Sequence, residues 1–335
     1  MRTLFSRQSD EVVVAAFRRY ANDGLAMGIT SATDMADALT ALKSSRVLAA
    51  TALPIRLRVV PFPFTTPTGR AMAEWRQVPA TLGPTTTVSG VKYILDGTPV
   101  ERLELLRRPY ADRRGWYGRA NFPLDTIRMI LGEALAGNQQ TMLHISGDSL
   151  VKVVVTVMQQ LAPDSVWRRK RLRIEHGDGI APDLQPIVAK LGIVVVVNPT
   201  HYAILDILKK RLEPTVAATY FPLKSLLARG IAVAIGSDGA RSPFVNVMLA
   251  MQHPANPAEA ISREQAVRAY TRGSAYAEFA EKEKGTLAPG MLADFAVLSQ
   301  DIFTIPADRL PATTSLLTLV GGKVVYDAKV VGAKP

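Results

Sequence analysis

The sequence contains no cysteine, which excludes a disulfide framework, thiolate zinc sites, iron–sulfur clusters and a cysteine nucleophile. Any metal must therefore be held by nitrogen and oxygen. Histidine is scarce as well: His144, His176, His201 and His253 are the only four in 335 residues. Long apolar runs are missing. No stretch approaches the roughly 20 residues that a membrane-spanning helix requires, and Asp10 and Glu11 stand where a signal peptide would be apolar. The chain is expected to be soluble and cytoplasmic, with no membrane partner. No glycine loop of the phosphate-cradling type is present either.

What the sequence does contain is ordinary globular material. Hydrophobic residues make up 48% and charged residues 21%, a balance that fits neither a disordered nor a low-complexity chain. At roughly 150 residues per domain the length suggests two domains, or one large α/β barrel with a small appendage. The net charge of +11 would suit an anionic partner. Its dense cluster, Arg168, Arg169, Lys170, Arg171 and Arg173, adjoins a single aromatic, Trp167, and neither a run of aromatics nor a glycine loop. It reads as a solvated face, and no nucleic-acid partner is expected.

Short β-branched runs alternate with amphipathic stretches along most of the chain. Seven strand candidates stand out: 28–34, 55–62, 90–96, 141–146, 171–176, 192–199 and 230–238. Helical patterns lie between them at 36–50, near 71–78, and at 124–136, 150–161, 183–191 and 223–229. Gly137, Gly192 and Gly230 stand where left-handed helix caps are wanted. Ser262 and Gln265 have capping-box spacing at the head of a further helix. From about residue 285 the pattern changes to β-rich segments with Gly and Pro turns, GTLAPGMLADFAVLS and LLTLVGGKVVYD. The expected organisation is a barrel over 1–284 and a small β subdomain over 285–335. Parallel strands with crossover helices indicate a (β/α)₈ barrel short of one strand, or an open doubly wound sheet.

Several chemically capable residues fall at strand ends. In RLRIEH the pleat puts Leu172, Ile174 and His176 on one face, so His176 continues an apolar row at the C-terminal end, where barrels of this kind carry their sites. His144 sits similarly in LHIS, Asp238 closes an apolar row in IGSD, and Lys92 lies between Val91 and Tyr93. Together they form a nitrogen and oxygen set suited to zinc or another divalent ion. Taken singly, each has a plainer reading: a core histidine, a helix cap, a snorkelling lysine. Spacing alone does not decide between them. His201 and Tyr202 in NPTHY, Trp116 and Tyr117 in RRGWYGR, and Phe244 are candidate walls of a substrate pocket, whereas His253 in a Pro-rich loop reads as structural or exposed.

The context of these residues carries a resemblance. VKYILDGTP, LHISGDS, RLRIEHGD, IGSDGARSPF and GTLAPGMLADFAVLS resemble, in order, the motif series of the amidohydrolase superfamily, specifically the amidohydrolase 3 type that includes N-substituted formamide deformylases. The resemblance runs from about residue 10 to 332. It implies a TIM-type barrel with one or two divalent ions, zinc by expectation. Lys92 would be a carboxylated bridging lysine, His144 and His176 ligands, and Asp238 both ligand and general base. The implied activity is hydrolysis of amide-type, non-peptide carbon–nitrogen bonds in a small molecule. A phosphoester or lactone hydrolase on the same barrel is a related reading.

One part of the family pattern is missing: no two of the four histidines form the His-x-His pair that the family carries on its first barrel strand. The expectation that follows is a truncated or mis-started version of a longer hydrolase, or else a barrel that fills its empty slot by self-association or by the chain's own N-terminal residues. Amide hydrolysis by the chain alone would then be weak or absent. The alternative reading is a catalytically impaired remnant that binds a ligand or partner.

Overall fold

The computed structural model describes residues 7–63, 65–66, 69–70, 72–239 and 242–330. Ala71, the expected start of one helical segment, and Ala240 and Arg241 of the IGSDGARSPF motif lie outside them. The chain divides into two compact units. Met1–Lys92, Arg241–Phe244 and Lys282–Pro335 form the first, and Tyr93–Ala240 with Val245–Glu281 form the second.

In the first unit, helix α1 (Asp10–Leu25) starts at Ser9, whose hydroxyl accepts a hydrogen bond from Val12 N, and Asp10 and Glu11 place negative charge on its first turn. Helix α2 (Ala41–Thr51) packs beside it. Strands β1 (Ser31–Ala36) and β2 (Arg56–Pro61) pair in parallel. A two-residue hairpin follows, β3 (Thr65–Thr66) with β4 (Gly69–Arg70). Strand β5 (Thr86–Val88) then adds in parallel to the far side of β2. Leu25, Leu48, Ile55, Leu57, Val59 and Trp75 are among the residues of this unit's core.

The second unit is built on a five-stranded sheet in the order β10-β9-β8-β7-β6. Its members are β6 (Val91–Ile94), β7 (Thr141–Ile145), β8 (Arg173–His176), β9 (Val194–Val197) and β10 (Val233–Ile235), with β7 to β10 mutually parallel. Every residue of β7, β8, β9 and β10 is buried, as expected of a parallel sheet covered on both faces. Helices α3 (Leu124–Ala136), α4 (Asp148–Leu161), α5 (Asp164–Lys170) and α6 (Gln185–Leu191) supply the connections through β9. In α4, Val151, Val154, Val155 and Met158 form the buried stripe that a 3.6-residue period demands. The Ser262 capping box is present, and the helix that it starts passes through a π turn at Ala269–Gly273.

The antiparallel sheet of β11 (Phe295–Leu298), β12 (Ser315–Val320) and β13 (Lys323–Asp327) belongs to the first unit. Thr318 Oγ1 donates to Leu25 O at 2.7 Å, and Arg56 forks onto Asp294. The units therefore do not follow the expected division at residue 285.

Further expectations require correction. The β1-β2-β5 and β10-β9-β8-β7-β6 sheets together hold eight strands among the described residues, so a count of seven no longer argues for a missing one. The additional strand, β5, consists of Thr86, Thr87 and Val88, too short to show a period. Gly192 and Gly230 are left-handed as expected, whereas Gly137 leaves its helix in an extended conformation at φ −87°. The basic cluster is not uniformly a solvated face. Arg171 lies 3.7 Å from the Tyr276 ring centroid and pairs with Glu281, and Arg173 is buried against Glu175 at 2.8 Å. A strand covered on both faces buries the second side of its pleat too, and the charge on that side must find a partner.

Candidate metal centre

Strands β7, β8 and β9 and the segment after β10 deliver side chains to one place, because parallel strands end together. His144 lies one residue before the end of β7 and His176 is the last of β8. Their rings meet edge to face, with centroids 4.3 Å apart. His201, in the 3₁₀ turn Pro199–Ile204 that follows β9, stacks on His176 at 5.3 Å. Asp238 Oδ2 lies 3.8 Å from His176 Nδ1 and 3.6 Å from His201 Nε2. One potential ligand atom from each of His176, His201 and Asp238 falls within 4.8 Å of the others. Two imidazoles and a carboxylate in that compass fit a borderline or hard dication.

Two of these residues are among the nine described non-glycine residues with positive φ. His176 has φ 76° and Asp238 φ 35°, left-handed values that cost a non-glycine residue roughly 1–2 kcal/mol. Such strain persists where surrounding structure enforces it, and it clusters at functional sites. Asn198 Nδ2 lies 3.0 Å from His176 Nδ1. His144 Nε2 faces Gly97 O at 3.4 Å and Asp96 Oδ1 at 3.8 Å.

Beneath the histidines lies a layer of buried carboxylates. Asp96 is fully buried and accepts from Ser146 N at 3.0 Å, Gly147 N at 2.9 Å and Leu105 N at 3.1 Å. Burial nevertheless outweighs these donors and, with Asp178 adding negative charge, pushes its pKa up to about 7. Asp178 accepts from Ser146 Oγ at 3.0 Å and faces His201 Nδ1 at 3.9 Å. Burial alone would lower the pKa of His201, but Asp178 and Asp238 together hold it above the usual imidazole value.

The other candidates are placed differently. Lys92 is buried and is the last residue of the first unit's N-terminal stretch; its role as a bridging ligand rests on the resemblance alone. Phe244 also belongs to the first unit and is buried. Tyr202 packs inward, 1% exposed, with its ring 4.0 Å from that of His253. His253 is wholly buried, with Nε2 3.0 Å from Phe221 O, so of the two expectations for it the exposed one does not hold. Trp116 Nε1 donates to Arg102 O at 2.6 Å and its ring carries Arg113 at 4.6 Å, so it is engaged within its own loop.

The amidohydrolase family matches residues 1–326. The chain belongs to that family. Among curated relatives, YtcJ of Bacillus subtilis (strain 168) is 27% identical over 272 residues, covering 77% of this chain and 50% of that protein. An N-substituted formamide deformylase of Arthrobacter pascens is 28% identical over 200 residues, 55% of this chain and 36% of the relative. The chain thus spans about half the length, or less, of the curated relatives it matches. Among solved structures, an uncharacterized metal-dependent hydrolase from Pyrococcus furiosus superimposes with a TM-score of 0.76 at 21% identity, over 89% of this chain and 62% of that one. The fold is shared with such hydrolases.

Asp96, Ser146 and Asp178 had not been singled out in the sequence, although two carried a readable signal. Asp96 closes the apolar row of YIL, as Asp238 closes its own, and Asp178 follows His176 by two residues between glycines. Those glycines are required. A Cβ on Gly179 would lie 2.5 Å from Ser146 O, and one on Gly177, already at φ 63°, would lie 2.7 Å from Val195 Cγ1.

Proposed function

We propose that this amidohydrolase is a metal-dependent hydrolase of amide-type carbon–nitrogen bonds in small non-peptide molecules. The observation that carries this reading is the convergence of His176, His201 and Asp238 beyond the C-terminal ends of parallel strands, the end at which (β/α)₈ enzymes carry their chemistry. These three would hold a divalent ion, zinc by preference for this donor set, with His144 beside them. The ion would supply Lewis acidity toward a substrate carbonyl. Asp238, exposed in its side chain, can accept a proton from attacking water and return it to the leaving nitrogen. His176 is held from the side by Asn198 and by the His144 ring edge, so its position is set before substrate arrives. The N-substituted formamide deformylase relative supports an N-formyl or N-acyl amine as the first substrate class to examine.

The test is to dialyse the purified chain against zinc, determine bound metal by mass spectrometry, and assay amine release from a panel of N-formyl and N-acyl amines. Zinc that binds the wild type, is lost in His176→Ala and His201→Ala, and supports turnover abolished in Asp238→Asn is the expected pattern. Zinc content unchanged in both histidine variants would overturn the site.

A further inference from the structure

We infer that Asp178 is a positioning residue that holds His201 as the Nδ1–H tautomer and leaves its Nε2 bare toward Asp238. The His201 ring stands between two carboxylates, with Nδ1 3.9 Å from Asp178 Oδ2 and Nε2 3.6 Å from Asp238 Oδ2. A neutral imidazole has one N–H, so only one of the acceptors around it, the two carboxylates and the neutral Asp238 carbonyl, can receive it. The environments of the two carboxylates decide which. Asp238 is 62% exposed in its side chain and has water to solvate it, whereas Asp178 is 7% exposed. A buried carboxylate lacking water gains more from an N–H than a solvated one does. The hydrogen is therefore drawn to Nδ1.

Asp178 is built in rather than incidentally close. Ser146 Oγ donates to the same Oδ2 at 3.0 Å, fixing the carboxylate before His201 reaches it. Gly177 N donates to Ile145 O and Gly179 N to Ser146 O, at 3.1 and 2.9 Å, tying the turn that carries Asp178 to the end of β7. Phe221 N donates to Asp178 O at 2.8 Å from a third segment. The other end of the ring is tied independently, because Thr200 Oγ1, next to His201, donates to Ser237 O, next to Asp238, at 2.7 Å. Carboxylate, imidazole and metal in that order is the arrangement by which proteins fix the tautomer and basicity of a ligand histidine.

The catalytic consequence rests on the hydrolase reading, but the tautomer does not, and the two are tested separately. The chain, labelled with ¹⁵N-histidine and stripped of metal, is examined by long-range ¹H–¹⁵N correlation well above the imidazole pKa. Only four imidazoles contribute, and the spectrum of His201→Gln identifies the one from His201. The expected result is His201 with Nδ1 protonated in the wild type and with Nε2 protonated in Asp178→Ala, where the acceptor is gone. Ser146→Ala, a milder change that loosens Asp178, should give a mixture of the two. In the zinc-loaded chain, Asp178→Ala should lower kcat or zinc affinity by roughly 10–100-fold, with KM changed less than kcat. A wild-type His201 protonated at Nε2 would refute the inference whatever the variants do. So would an Nδ1–H form that survives unchanged in a folded Asp178→Ala chain. Should no member of the amide panel be hydrolysed, the hydrolase reading fails and the tautomer spectra still decide the role of Asp178.

Discussion

Glu104 offers a stability prediction that can be worked from the structure. Its side chain is fully buried, Oε2 accepts from Tyr220 Oη at 2.7 Å, and Oε1 has no hydrogen-bond partner among the described residues. Burial raises its pKa well above the ordinary value. The Tyr220 and Ser146 hydroxyls oppose the shift, and Asp96 and Asp178 reinforce it. An unfolded glutamate titrates near 4.3, so above that pH the unfolded chain releases a proton that the folded chain keeps. The contribution of Glu104 is therefore fully present below about pH 4.3 and is lost at about 1.4 kcal/mol per pH unit as pH rises toward the folded value. Glu104→Gln preserves shape and the Tyr220 bond but exchanges the one unpaired O–H of the neutral acid for the two unpaired N–H of a buried amide, at a further cost of about 1–3 kcal/mol. The variant should be the less stable protein near pH 4 and should overtake the wild type within about two pH units above that. Urea unfolding midpoints of both proteins, measured at half-unit steps, read the crossing directly. Because the variant removes this titration, a stability gap independent of pH would refute the protonated, buried state of Glu104.

Gly179→Ala puts a Cβ 2.5 Å from Ser146 O and 2.9 Å from Asp148 N, and should cost on the order of 1–3 kcal/mol; a melting temperature equal to wild type would show that the turn has slack. Arg171→Ala loses the fork to Glu281, at 2.6 and 3.0 Å, and the Tyr276 and Phe279 faces. A loss of about 1–2 kcal/mol is expected, and Arg171→Lys should recover less than half of it because an ammonium cannot fork; full recovery in urea titrations would reduce the interaction to charge alone. For Asp294, burial raises the pKa, but the Arg56 fork and Gly321 N outweigh it and hold the pKa below the usual carboxylate range. Its contribution is present above the unfolded value, near 3.9, and is lost as pH falls through the folded one. Asp294→Asn should accordingly flatten the acid limb of the stability profile, and an acid limb of unchanged steepness would count against the pairing.

Much of this protein was legible in the sequence because it is set by neighbours along the chain. The apolar run Val194–Val197, the period of α4 and the capping box at Ser262 each follow from local geometry. The same pleat that alternates Ile174 with Arg173 and Glu175 pointed to His176, and the ends of apolar rows pointed to His144 and Asp238. Tertiary structure alone decided the rest. It joined His201 to that group, brought Ser146 to Asp178 across 32 residues, buried Arg173 against Glu175, and placed the sheet after residue 285 in the unit of the N-terminal strands. A period reports which way a side chain points, whereas a site depends on which turns meet where parallel strands end. That meeting is settled by crossover packing and by close backbone approaches such as the one at Gly179, and no local pattern records it.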